Sequence, residues 1–497
     1  MKAAVSVFAA LFLTALILTL SVPPFHPIEG DALDYRLSLS QESSIWKIRK
    51  DTYNTSLPHL WDSVRAPFVK LAARNLSWGG LTRLPNILAF LFFAIWAWRV
   101  ASRSSYFGGF DENWRRLLWW QWLCLPPLYF QAATNSVDMP ATVALIVASF
   151  EILASERFIK RPWWAAIALQ IAFGCHYWTW AVAAVLTLIG AYKLLRARDL
   201  RHVMSFLVLV AVPYPAFILL RNGLSAGNPV LPLLSSVFQS PFLSSARVTE
   251  LAQTYGLSGF GRTPFDLVMV PLRLIFKGYA FDYPTGGALL FSLTAFLVPG
   301  PHRSRRLLVP AFGFFLLWWC TLQNTRFIGL ALFWLTIVWV GVVRELWKTR
   351  PFRPFLATAL AAYTLVWSVM AIGLQEFGAR YLAKFTDRES FLRETVPTYR
   401  DAEVIRKRFE GRDGPIGLVS RTGNAFYLGR PLVYFAGHPY SNFSLTDERL
   451  CAWVAEYRLV GLYGAPEVIE FLKEKGSCFA NMKSGHELRG NFAYAEF

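Results

Sequence analysis

Asp31, Asp34 and Tyr35, in the stretch Gly30-Asp31-Ala32-Leu33-Asp34-Tyr35-Arg36-Leu37, are the residues whose types and spacing best suit chemistry. In a helix they stand at i, i+3 and i+4, on one face. Two carboxylates held together raise the proton affinity of one of them or attract a divalent cation, and either arrangement suits a general base acting on a hydroxyl. The competing reading is a helix cap, with Asp31 accepting from the free N–H groups of a first turn. A second acid, Asp138, ends the turn Thr134-Asn135-Ser136-Val137-Asp138, where capping again competes with chemistry.

Basic groups that suit a phosphate stand elsewhere along the chain. Arg326, in Gln323-Asn324-Thr325-Arg326-Phe327, sits in a short turn between apolar blocks, where a guanidinium needs an anion. His176, beside Tyr177, ends another apolar block, and a lone histidine there is more often a packing residue. Arg221 precedes the turn holding Asn228 and Pro229, and reads equally well as an anchor at a membrane interface.

The elements that must position these groups are apolar helices. Hydrophobic residues make up 55% of the 497, and they gather in blocks near the length that crosses about 30 Å of hydrocarbon. The blocks fall at 3–22, 84–100, 117–133, 137–154, 163–180, 181–195, 203–220, 286–298, 307–322, 327–343 and 355–374. The sequence therefore predicts a polytopic α-helical membrane protein with about eleven spans. The first block lacks a small-x-small cleavage pattern before Pro23 and Pro24, and reads as a retained signal anchor.

Charge sets the expected orientation. Arg99, Arg103, Arg157, Lys160, Lys193, Arg196, Arg303, Arg305, Arg344 and Lys348 fall in short connections on one side, which the positive-inside rule makes cytoplasmic. An inner-membrane protein with a cytoplasmic N-terminus and an extracytoplasmic C-terminal domain follows. Nearly all of the net charge of +18 lies in the membrane part, because residues 376–497 carry 17 Lys and Arg against 16 Asp and Glu. A basic excess in membrane loops meets lipid headgroups, so nucleic acid is not an expected partner.

Two domains are expected. Residues 1–375 form the transmembrane domain, with exterior loops at 23–83 and 222–283, and residues 376–497 form a small extracytoplasmic α/β domain. In the tail, patterning predicts helices at 399–409, 446–457 and 466–475 and strands at 415–420, 432–435 and 459–463. The tail shows no phosphate loop, no metal-spaced Cys/His set and no nucleophile elbow. Cys124, Cys175 and Cys320 fall in apolar spans, while Cys451 and Cys478 share the exported tail, where an oxidising compartment permits a bridge.

Four motifs in order resemble a known family. "GDALDYRLSLS" after the first span, "TNSVDMPATVALIVASFEIL" around the fourth, "LLRNGLSAGNPVLPLL" after the seventh and "WCTLQNTRFIGLAL" between the ninth and tenth are similar to the bacterial membrane glycosyltransferases of the GT-C superfamily, relatives of protein O-mannosyltransferases and aminoarabinose transferases. The resemblance implies a GT-C-like fold over most of residues 1–375. It also implies transfer of a sugar from a polyprenyl-phosphate donor to an acceptor hydroxyl at the outer face, usually with inversion. Asp31 matches the catalytic acid of the first exterior loop, with Asp34 one turn on; Asp138 matches the acid after the third span. Arg326 matches a position near the donor phosphate, with His176, Tyr35, Arg36, Arg221 and Asn228 as further substrate-binding expectations. Asp34 and Arg36 stand where many members have Thr and His, and His176 where a Lys is common. The donor sugar and any need for a divalent cation (Mg2+ or Mn2+, held by Asp31 and Asp138) stay open.

The rival class is a polytopic lipid or glycan flippase or transporter. It predicts charges near the bilayer midplane and two repeated halves, whereas the residues singled out here cluster at the exterior boundary. A noncatalytic envelope scaffold is a third reading, and it predicts that acid substitutions are silent.

Overall fold

The computed structural model describes residues 47–103, 107, 110–154, 161–243, 246–250, 261–276, 302–320, 323–359, 362, 387–396, 398–422, 424–475, 477–485 and 492–497, with positions 10, 14, 16, 19–21, 33 and 36–40 nearer the N-terminus. The predicted span at 286–298 and most of those at 3–22 and 355–374 lie outside the described residues, as do Asp31, Asp34 and Tyr35. The chain is mostly helical. It divides into two compact units, the first made of Met1–Val22, Arg83–Pro213 and Ser258–Leu382, the second of Pro23–Thr82, Tyr214–Leu257 and Ala383–Phe497.

Among the described residues, four helices are long and apolar enough to cross a bilayer: Trp78–Ser102, Trp178–Arg196, Leu200–Ala226 and Gly329–Trp347. Pro162–Cys175 and Leu308–Cys320 are apolar but shorter. The expected single span at 117–133 is two helices, Glu112–Leu123 and Pro126–Ala132. The cause is in the sequence: the residue before a proline avoids the helical region, and neither Pro126 nor Pro127 has an N–H to continue the ladder. Pro213 and Pro215 act differently, because the chain passes them as a wide turn of helix, Val212–Ala216, and stays helical on both sides.

The first unit is built around two buried helices, Asp138–Leu153 and Gly329–Trp347. Trp334 donates through Nε1 to Ser149 Oγ at 3.0 Å, and its ring packs on Phe150. Trp122 stacks on Phe333 at 4.6 Å. Gly329 lets the two helices approach at their starts, since a Cβ there would lie 2.7 Å from Thr142 Cγ2.

The second unit holds a five-stranded sheet. We number its strands β1 (Ile416–Leu418), β2 (Leu432–Tyr434), β3 (Gly461–Gly464), β4 (Lys483–Gly485) and β5 (Ala493–Glu496). The order is β2-β1-β3-β5-β4, with β2, β1 and β3 parallel and β5 antiparallel to both β3 and β4. Leu462, Val433, Ile469, Leu472 and Ala495 fill the core between the sheet and its helices. Helices Tyr399–Arg408 and Pro466–Lys475 stand where the pattern puts them, whereas the third begins later, at Leu450. Sequence patterning missed β4 and β5, which are too short to show alternation. The exposed edge of β2 is covered by first-loop residues: Asp51 Oδ2 accepts from Tyr434 N at 2.9 Å, and Thr52 forms a bridge with Ser441.

Cys451 and Cys478 are joined in a disulfide across 27 residues. A closed loop of that size constrains the unfolded chain by about 3 kcal/mol. The Cys451→Ser/Cys478→Ser protein is expected to unfold at lower denaturant concentration, with a slope equal to or steeper than the wild type's because its unfolded chain is no longer cross-linked. A midpoint equal to that of the oxidised wild type would show the bridge to be energetically silent.

Candidate functional site

In the first unit, Asp138 and Arg326 come together because each stands at the start of one of the two central helices. Asp138 is the first residue of its helix, and Arg326 lies in the single turn Thr325–Phe327 just before Gly329. Arg326 Nη1 is 3.9 Å from Asp138 Oδ2, a loose ion pair rather than a hydrogen bond. The carboxylate is buried and the guanidinium about one-quarter exposed.

Asp138 does not cap its helix: the N-cap is Val137, without a side-chain bond, and the carboxylate turns elsewhere. Oδ1 accepts from Trp178 Nε1 at 3.2 Å, and Oδ2 lies 2.9 Å from the Ser136 hydroxyl. Ser136 Oγ is also 3.1 Å from Gln131 Oε1, and it accepts from Asp138 N. The turn itself is gathered by Asn86, whose Nδ2 reaches the carbonyls of Gln131, Thr134 and Ser136. Asn86 is fully buried and comes from a helix 45 residues away from Gln131; its isolated position in an apolar block is the signal that sequence reading passed over.

Arg326 is fixed from its backbone outward. Its N–H donates to Asn324 Oδ1 at 2.9 Å, its carbonyl accepts from Gln131 Nε2 at 3.3 Å, and Trp318 Nε1 donates to the Asn324 carbonyl at 2.7 Å. Trp178 stacks on Phe327 at 4.5 Å, and the His176 ring centroid is 6.2 Å from that of Phe327. His176 is the C-cap of helix Pro162–Cys175, and its Nδ1 accepts from Trp178 N. So His176, Trp178, Asp138 and Arg326 form one neighbourhood. An apolar recess adjoins it, lined by Trp178, Phe314, Trp318, Phe327 and Leu330.

The second unit holds a different set of the expected residues. Arg36 is buried and bonds Asp62 Oδ2 at 3.1 Å. His59 Nδ1 lies 3.0 Å from the same oxygen, and Arg65 Nη1 lies 3.3 Å from Oδ1. Burial pushes the Asp62 carboxyl up, but Arg36, the His59 hydrogen bond and Arg65 outweigh it and hold the group well below the usual carboxylate range. Asp62 was missed from sequence although His59, Asp62 and Arg65 share the i, i+3, i+6 face of helix Leu60–Arg74 and its start. Arg221, read as substrate-binding or as an interface anchor, holds the chain: its Nη2 donates to the carbonyls of Ser56 and Leu57 and to Asn222 Oδ1. Asn228 closes its own turn, accepting from Val230 N and donating to the Leu233 carbonyl.

Among the described residues, no group of three or more His, Cys, Asp or Glu side chains is placed to hold a metal ion.

The fold has counterparts among solved structures, in keeping with the resemblance drawn from the four motifs. Two crystal structures of ArnT from Cupriavidus metallidurans share it. The one bound to undecaprenyl phosphate is 15% identical with a TM-score of 0.58, over 100% of this chain and 98% of that one. The apo state is 14% identical with a TM-score of 0.58, over 99% and 98%. No protein-family model and no curated protein sequence matches the chain.

Proposed function

We propose that the protein is a glycosyltransferase that moves a sugar from a polyprenyl-phosphate donor to an acceptor hydroxyl at the outer face of the inner membrane, in the making of an envelope glycan, glycolipid or glycoprotein. The observation that carries this reading is the likeness, over the full chain, to an ArnT structure holding undecaprenyl phosphate. The Arg326–Asp138 pair beside an apolar recess agrees with it, since a lipid phosphate presents an anion and a hydrocarbon chain together. The orientation is the one read from the arginines and lysines, with the N-terminus cytoplasmic and the tail outside.

In the reaction, the acceptor oxygen forms a bond to the anomeric carbon as the bond from that carbon to the phosphate oxygen breaks. The electron pair leaves with the polyprenyl phosphate, and the acceptor proton passes to the carboxylate of Asp31, with Asp34 as its neighbour. A single displacement inverts the anomeric centre. Arg326 stabilises the charge gathering on the leaving phosphate. Asp138 is a positioning residue in this scheme, because its carboxylate is occupied by Trp178 and Ser136 and sets where the guanidinium of Arg326 lies.

Purified protein in proteoliposomes, given a radiolabelled polyprenyl-phosphate sugar and an envelope extract as acceptor source, is expected to move label to the acceptor and release polyprenyl phosphate. Label that crosses the bilayer while still joined to its lipid would instead establish the flippase reading.

A further inference from the structure

The second unit carries an arrangement that the transfer reaction does not use. β1 and β2 are parallel and adjacent, with Leu418 paired to Tyr434. Four residues beyond each of these partners the chain reaches Thr422 and His438, so both leave the sheet at its carboxyl edge. In open α/β sheets ligands bind outside the carboxyl ends of the strands where the strand order reverses, which here is at β1, beside β3.

His438 is almost wholly buried. Its Nδ1 accepts from Tyr440 N at 3.2 Å, so in the neutral ring the proton is on Nε2. That Nε2–H is buried and has no acceptor among the described residues. Thr422 Oγ1, in the loop after β1, is likewise buried without a partner. An unmet buried donor costs about 1–3 kcal/mol, and two at one sheet edge need a reason.

The surroundings say which acceptor would meet them. The His438 ring packs on Tyr434 at 4.9 Å and on Tyr440 at 5.4 Å, and the exposed Arg421 holds its guanidinium over the Tyr440 ring at 5.4 Å. Arg247 donates to the carbonyls of Pro439 and Ser441, on either side of Tyr440, and is answered by Glu250 at 2.8 Å. Arg421, exposed over the Tyr440 ring, brings a guanidinium to this edge, and His438 and Thr422 bring neutral donors. Burial, with Arg421 and Arg247 nearby, lowers the His438 pKa to about 3, so the ring stays a neutral donor at physiological pH. Gly437, at φ +93, makes the turn that brings His438 back beside the strand, a conformation that other residues rarely adopt.

We propose that the carboxyl edge of β1 and β2 is a phosphate-binding site, with His438 Nε2–H and Thr422 Oγ–H donating to the oxyanion and Arg421 balancing its charge. Its ligand is free phosphate or a phosphate carried on a sugar. Binding there does not depend on the transfer chemistry.

The test is isothermal titration of the full-length protein in detergent with glucose 1-phosphate, inorganic phosphate and glucose. Glucose 1-phosphate is expected to bind and glucose is not. Arg421→Ala, an exposed change, is expected to weaken binding at least tenfold, and His438→Phe, which keeps an aromatic ring but removes both ring nitrogens, to abolish it; Thr422→Val, which keeps the shape and removes only the hydroxyl, should weaken it as well. Inorganic phosphate binding as tightly as the ester assigns the site to the free anion; weaker binding assigns it to a phosphorylated sugar. Arg326→Ala separates this site from the donor site, and binding should survive it. Loss of all binding in Arg326→Ala, unchanged binding in Arg421→Ala, or no binding to the wild type overturns the inference.

Discussion

Arg326→Ala is expected to lower the single-turnover rate of sugar transfer about 10^2- to 10^3-fold, the scale seen when one group facing a developing anion is removed. Charge on the phosphate grows as its bond to the sugar breaks, so the loss falls on kcat more than on KM. Arg326→Lys restores the charge but not the planar fork, and should recover only part of the rate. Asp138→Asn keeps an acceptor for Trp178 Nε1 while removing the charge that faces Arg326. Its effect should be smaller, and in the double variant with Arg326→Ala it should largely disappear, because a positioning residue has nothing left to position. Asp31→Asn acts on the other partner in the reaction: it removes the proton acceptor and should cost about 10^2- to 10^4-fold with donor binding intact. Wild-type rates in either Arg326→Ala or Asp31→Asn, with folded protein confirmed, would end the proposed mechanism.

What the sequence revealed and what it hid divide along one physical line. Apolar blocks predict helices well because burial in lipid or core needs a continuous run, and 84–100, 137–154 and 327–343 stand close to the helices Leu84–Arg103, Asp138–Leu153 and Gly329–Trp347. Where one block broke, at Cys124 and Leu125, the prolines that break it were in view. Partners far apart in the chain were not. Nothing local says that Trp178 donates to Asp138 across 40 residues, or that Arg36 meets Asp62 across 26. Residues 23–83 show the same limit: their mixture of charges and aromatics suits short amphipathic helices at a membrane interface, and Leu60–Arg74 is a helix, but nothing in the pattern says that Asp62 and Arg65 are buried. A periodic pattern gives a face, and only the packed chain says what that face meets.

That inward face makes the last and largest stability prediction. Asp62 is buried and answers Arg36, Arg65 and His59 at once, so Asp62→Asn leaves buried cations without their shared anion and is expected to cost about 3–5 kcal/mol. Arg65→Met should cost less, since Asp62 keeps Arg36 and His59. The pH dependence has a definite sign. The folded carboxyl is held below its unfolded value, so its contribution is complete above the ordinary carboxylate range and is lost as pH falls through the lowered folded value. Unfolding midpoints measured between pH 5 and 8 should therefore show a constant gap between wild type and Asp62→Asn, narrowing only below about pH 4. A gap that widens on acidification would mean that something other than the charge on Asp62 governs the cluster. An Asn variant as stable as wild type at pH 7 would mean that the arginines draw their stability from elsewhere.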